Sequence, residues 1–143
     1  MEKTITSPIT ISATVAAPIE QVWQLWNDPQ AITQWNAASD DWHTPRAEND
    51  LRVGGILLSR MEAKDGSWGF DFKGTYTAVQ EHAHIEYVLE DGRKVQINFE
   101  PQENQTLVTE TFDAEETHPR DFQEAGWQAI LNSFKKYAET QQN

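Results

Sequence analysis

The chain has 143 residues, a formal net charge of −12 and no Cys. That charge repels nucleic-acid phosphates and anionic lipid surfaces, and the absence of Cys excludes disulfides and thiol catalysis. Mean hydropathy is low, at −0.69, but six Trp and six Phe bury much area per residue, so a folded domain is expected.

A single domain over residues 1–143, with its core over about 8–140, suits this length. Met1 to Thr10 holds no apolar run suited to a signal peptide. No stretch approaches the roughly 20 apolar residues of a membrane span. The expected location is cytoplasmic, with no membrane insertion and no nucleic-acid partner.

In chain order, Ile9, Ile11, Ala13 and Val15 alternate with Thr10, Ser12 and Thr14, the pattern of a half-buried strand. Ala17-Pro18 opens a short helix with Ile19, Val22, Trp23 and Trp26 on its apolar side. Asp28-Pro29 stops it and starts another, as N-cap and first helical residue, running to Trp35. Asn36 to Asp50 has no clean period and reads as a long loop holding Trp42 and His43, of the kind that is often functional. Gly54-Gly55 marks a bulge or close backbone approach before a strand from Ile56 to Ala63.

Lys64-Asp65-Gly66-Ser67 is a hairpin turn into a strand from Trp68 to Val79, within which Gly74 is expected to mark a bend. Further strands alternate at Ile85, Tyr87 and Leu89, then at Val95, Ile97 and Phe99, then from Leu107 to Asp113. Asp91-Gly92 and Pro101 to Gln105 supply the turns between them.

The chain then enters its one long amphipathic helix. Trp127, Ile130, Leu131, Phe134, Tyr137 and Ala138 fall on one face, and Gln123, Glu124, Gln128, Asn132, Lys135, Lys136 and Glu139 on the other. Gly126 costs about 1 kcal/mol in a helix interior and reads as letting the helix approach the sheet beside Trp127. This order of elements is α+β: a curved six-stranded antiparallel sheet with helices on one face. The last helix has too little apolar surface to cover the whole sheet, so a cavity between the two is expected near the long loop and the short helices.

Several short stretches carry a family resemblance. They are Ala17-Pro18 with Val22-Trp23, Asp28-Pro29, Gln34-Trp35, Arg52-Val53-Gly54-Gly55 leading to Met61, Phe72-Lys73-Gly74-Thr75-Tyr76, Thr109-Glu110-Thr111-Phe112, and Gly126-Trp127 with Leu131 and Phe134. In this order, over about Thr10 to Ala138, the chain resembles the START-like helix-grip (SRPBCC, or polyketide-cyclase-like) superfamily. Within it, the chain resembles the branch of Hsp90 ATPase activator homologues. The resemblance implies a curved sheet gripping a long C-terminal helix, with two short helices after the first strand. The superfamily includes lipid and hormone carriers, aromatase/cyclases and co-chaperone domains, so the resemblance does not choose an activity. The sequence carries no additional N-terminal domain of the kind the co-chaperone has, which speaks against direct stimulation of a chaperone ATPase.

The resemblance also implies that Leu57, Met61, Phe72 and Tyr76 face the concave side. Strand parity adds Tyr87, Phe99 and Phe112, and the helix contributes Trp127 and Leu131. Trp35 and Trp42 are rim candidates. Together these form either ordinary core or the walls of a small-molecule pocket.

Glu110 alternates with Val108 and Phe112, so parity points it inward. There it is an acid, a base or an anchor for a ligand hydroxyl, unless a bulge turns it outward or a cation such as Arg60 pairs with it. His43, in the long loop, is the weaker acid/base candidate. His82 and His84 have the spacing of two ligands on a strand face, but no third stands at a recognisable offset, so no metal site is expected. No nucleophile elbow, phosphate loop or dinucleotide fingerprint is present, and no cofactor is implied.

Three functions follow from these residues. The first is a binding protein for a small apolar or aromatic ligand. The second is a cyclase- or hydrolase-like enzyme using Glu110 or His43. The third is an interaction module with a chaperone or other protein partner and no ligand.

Overall fold

A computed structural model describes residues 8–141. Seven strands form one antiparallel sheet: β1 (Ile9–Val15), β2 (Trp42–Asn49), β3 (Ile56–Ala63), β4 (Gly69–Gln80), β5 (His84–Leu89), β6 (Lys94–Gln102) and β7 (Gln105–Phe112). Their spatial order is β1-β7-β6-β5-β4-β3-β2. Between β1 and β2 come α1 (Ile19–Asn27) and α2 (Pro29–Trp35), and α3 (Arg120–Thr140) closes the chain. The sheet therefore has one strand more than the six expected. The extra one is β2, inside the segment read as a loop. Its sequence lacks alternation and includes Pro45, and its pairing with β3 is irregular between His43 and Arg46.

The inward set is the one strand parity picks out. Ile9, Ile11 and Val15, then Ile85, Tyr87 and Leu89, then Val95, Ile97 and Phe99, and Val108, Glu110 and Phe112 are all buried. The opposite face carries residues such as Ser12, Gln96, Asn98 and Thr111. One-sided burial of this kind is what an antiparallel sheet with a single covered face requires.

Gly74 marks no break in the pairing. It pairs in register with Leu57 and Leu89, and a Cβ on it would lie 2.6 Å from Tyr87 Cδ1. Its lack of a side chain gives the Tyr87 ring its seat. The irregularity lies three residues on, between Tyr76 and Ala78. One extra residue there flips the pleat, so that Val79 rather than Ala78 continues the row facing the core. Gly54 takes φ +86°, and its N–H donates to Tyr76 O at 2.9 Å while Tyr76 N–H donates to Gly55 O at 3.0 Å. The paired glycines thus bring the β2–β3 turn onto β4, the close approach their sequence implied.

The long helix does two things. Leu131, Phe134 and Ala138 are fully buried, with Trp127, Ile130 and Tyr137 packed beside them. Phe134 meets both Trp26 of α1 and Trp35 of α2 edge-on, with ring centroids 4.8 and 5.0 Å apart, and these contacts join the three helices. The polar side of α3 meanwhile covers the free edge of β1. Arg120 donates to Pro8 O at 2.7 Å, Gln128 to Ser12 O at 3.1 Å and Lys135 to Thr14 O at 2.8 Å, while Glu139 accepts from Ala16 N–H at 2.9 Å.

Two residues of α3 depart from expectation. Gln123, placed by periodicity on the polar face, is buried. Its carboxamide accepts from Glu115 N–H at 2.9 Å and donates to Glu115 O and His118 O at 3.0 and 2.8 Å. It thereby satisfies backbone groups of the preceding turn. Gly126 approaches no described residue closely: a Cβ there would meet none of them within 4 Å. Among the described residues no helix is long and apolar enough to cross a membrane.

Candidate functional site

Where α3 leaves the sheet, a cavity of about 180 Å³ opens between the sheet and the three helices. Its floor comes from alternate residues of four strands: Leu57, Ser59 and Met61 of β3, Phe70, Phe72 and Tyr76 of β4, Ile85 and Tyr87 of β5, and Glu110 of β7. Trp26 and Asn27 of α1, Ile32 and Trp35 of α2, and Trp127 and Ile130 of α3 form the roof, and Asn36 and Asn49 complete one side. For scale, an engineered apolar cavity of roughly 150 Å³ stays dry and takes up benzene. This space therefore suits one ring with a short arm.

Among the polar groups of the wall, two sets contrast. In the first, every group has a partner. Tyr76 Oη donates to Asn49 Oδ1, Asn49 Nδ2 donates to Asn27 O at 2.8 Å, and Trp35 Nε1 donates to Leu25 O at 3.0 Å. These bonds fix the orientation of two aromatic walls. In the second set, Glu110, Tyr87 and Ser59 make no side-chain hydrogen bond with another described residue, although each is buried. Buried polar groups are hydrogen-bonded in the great majority of cases, so three without a protein partner around one void are a feature of the site.

Glu110 sits in register between Ile11 and Ile97, both buried. This apolar burial pushes its carboxyl up to about 8, so at neutral pH it is largely a protonated acid that can donate as well as accept. Burial, and after it the nearby Glu110, raises the Tyr87 phenol well above its ordinary value. Burial also raises the Tyr76 phenol, against the opposing effect of its bond to Asn49. Among the described residues no Lys, Arg or His lines the cavity. Arg60, the cation considered for Glu110, belongs to the opposite face of β3. Its Nε lies 2.9 Å from Glu62 and its Nη1 3.4 Å from Asp71.

Of the residues singled out from sequence, Trp35, Leu57, Met61, Phe72, Tyr76, Tyr87, Glu110 and Trp127 come together around this void. Four others do not line it. Phe99 fills the space under α1, 5.2 Å from Trp23 and 5.8 Å from Trp26. Phe112 stacks on Trp127 at 3.9 Å and 11°, and Leu131 is sealed in the core. Trp42 stands one layer out, edge-on to Trp68 and Phe70.

His43 faces Glu62 at 3.9 Å. It lines a separate polar groove with Trp42, Lys64 and Lys136, so it and Glu110 do not share a site. His82 lies edge-on to Trp23, and His84 is held between Asn98 at 2.6 Å and Glu86 at 2.7 Å. Among the described residues no cluster of three or more His, Asp or Glu is placed to hold a metal ion. Sequence reasoning passed over Ser59, Phe70 and Ile85, although each shares parity with a neighbour it did choose. It had no signal for Asn49, which lies on the unrecognised strand.

The sequence profile of one family, described as Activator of Hsp90 ATPase homolog 1-like protein, matches residues 16–139. The chain belongs to this family. Among solved structures, the AHSA1-like protein from Aeromonas hydrophila is 50% identical, with 93% of this chain and 92% of that one covered and a TM-score of 0.87. A protein from Cytophaga hutchinsonii is 52% identical over 92% of both chains, with a TM-score of 0.80. A protein from Nitrosomonas europaea shares the fold at 17% identity, with 94% and 95% covered and a TM-score of 0.79. No curated protein matches the chain. The expected resemblance is thereby shown. The helix-grip architecture that this AHSA1-like chain shares with the wider SRPBCC superfamily often binds hydrophobic ligands.

Proposed function

We propose that this AHSA1-like protein binds a small hydrophobic or aromatic ligand in the cavity between the sheet and α3. One observation carries the reading: an aromatic-walled void holds a buried carboxyl, Glu110, that no described protein group satisfies. A site that only filled the core would place an apolar residue there, because an unpaired buried polar group costs about 1–3 kcal/mol. A pocket with apolar walls and a few oriented polar groups is the usual form of a small-molecule site. Burial of the ligand's apolar surface, at about 25 cal/mol per Å², supplies affinity, and Glu110 and Tyr87 supply orientation.

The test is native mass spectrometry of the purified protein, with organic extraction of co-purifying molecules and titration with apolar dyes followed by Trp fluorescence. A near-stoichiometric adduct, or saturable quenching that the Tyr87→Phe and Trp127→Ala variants weaken, supports the reading. An unliganded mass together with no dye response removes it.

A further inference from the structure

Resting on that reading, we propose that the cavity is built for a compact organic cation: a single ring bearing a short alkylamine, its ammonium group seated on the Glu110 carboxylate. Three observations converge on this class. First, Glu110 is, among the described residues, the one carboxyl in the wall; it is 5% exposed and has no partner among them. Among the described residues no Lys, Arg or His lines the cavity to neutralise it, and Arg60 is already held by Glu62 and Asp71 on the other face of the strand.

Second, the surrounding walls are the faces and edges of Trp26, Trp35, Phe72, Tyr76, Tyr87 and Trp127. Aromatic rings attract a desolvated cation through their quadrupoles. Third, the whole chain carries a net charge of −12, and its field draws cations and repels anions.

A neutral ligand is the weaker match. Where this wall needs a neutral partner it uses a carboxamide, as Asn49 does for Tyr76. A carboxyl wedged between Ile11 and Ile97 must take up a proton to stay neutral there at pH 7, a cost that an amide does not carry and that a cation bound beside it relieves.

The chemistry is a proton exchange. An ammonium ion enters, the Glu110 carboxyl gives its proton to solvent, and the bound state is an ammonium–carboxylate pair. Among the described residues the other titratable groups facing the site are the Tyr87 and Tyr76 phenols, which burial keeps protonated.

Isothermal titration calorimetry with 2-phenylethylamine, 2-phenylethanol and ethylbenzene tests this, run at pH 7 in two buffers of different protonation enthalpy. The amine is expected to bind at least about tenfold tighter than the alcohol, since a charge-assisted pair is worth well over a neutral hydrogen bond. It is also expected to release close to one proton, because the carboxyl is mostly protonated before binding. In wild-type protein, amine affinity should rise about tenfold per pH unit between pH 6 and 7, flattening towards pH 8. That series does not depend on any variant folding. In Glu110→Gln, with its fold checked by circular dichroism, both the preference for the amine and the proton release should vanish.

The cation proposal is overturned if the alcohol or the hydrocarbon binds as tightly as the amine, or if the amine binds without releasing a proton. In either case the apolar pocket itself survives. If none of the three probes binds, both the cation proposal and the pocket reading fall.

Discussion

The two halves of the sheet follow the same alternation of inward and outward residues and end in opposite states. Over β1, β6 and β7, the inward residues Ile9, Val15, Val95, Ile97, Val108 and Phe112 belong to the packed core and are buried to 4% exposure or less, and only Glu110 among the described residues of these strands lines the void. Over β3, β4 and β5, the inward residues Leu57, Ser59, Met61, Phe72 and Tyr87 face a void. The difference lies in what covers them. A helix of 21 residues follows β1 and turns its polar side to that strand's edge, so its apolar stripe covers only the near half. The far half is roofed by α1, α2 and the rings of Trp35 and Trp127, which bridge the gap without filling it. Packing density is therefore set by where the long helix lies, more than by how hydrophobic each strand is.

Paired truncations give the largest expected contrast. Leu131→Ala, in the packed half, should lower unfolding free energy by about 2–5 kcal/mol, as expected for a rigid core that cannot collapse. Leu57→Ala only enlarges a void that already exists and should cost about 1 kcal/mol. Urea denaturation of both variants checks this, and equal losses would remove the distinction between the halves.

Glu110→Gln should act in the opposite direction. The carboxyl is raised in the folded state from 4.5 to about 8. Its neutral form is thus retained at no linkage cost below pH 4.5, and stability is lost progressively as pH rises from 4.5 to 8, levelling off above it. At pH 7 the variant should be more stable than the wild type by up to about 3 kcal/mol, with the gain disappearing near pH 4. Denaturant titrations across that range read it directly, and a pH-independent difference would show that Glu110 is not held neutral by burial.

Gly74→Ala comes next. Its Cβ would press on the Tyr87 ring at 2.6 Å, so a loss of about 1–3 kcal/mol is expected from overpacking. Weaker dye binding should accompany it as the ring moves into the void. Gly126→Ala is the smallest effect. With no described residue within 4 Å of its Cβ, the variant should gain about 0.5–1 kcal/mol from helix propensity, seen as a raised Tm.

Most of the inward face was legible in the sequence because parity needs nothing but local alternation. Glu110 was placed by that rule alone, between the apolar Val108 and Phe112 on its strand. The sites where the reading failed have physical causes. β2 carries Pro45, charged Arg46 and Glu48, and an irregular register. These features protect an edge strand from pairing with other chains, and the same features erase the alternation by which strands are recognised. Gln123 is polar by type and buried by partnership, since three backbone groups of residues 115 and 118 use its amide. Gly126 looked like a close contact only because glycine in a helix usually needs a reason. The void was foreseen as a mismatch between helix and sheet. Which residues would line it depended on the joint of Trp26, Trp35 and Phe134, an arrangement of long-range contacts that no local pattern encodes.

The bonds from α3 to the edge of β1 also bear on how the molecule is made. They join positions separated by 112 to 123 residues, and β7, the strand that pairs with β1, lies nearly as far along the chain. During synthesis the first strand thus emerges long before either of its neighbours and waits with its backbone groups bare on both sides. Closing so large a loop is slow relative to local contacts. The β3–β4–β5–β6 meander needs no such wait, so the hollow part of the sheet can assemble first, and the chain's beginning and end meet last.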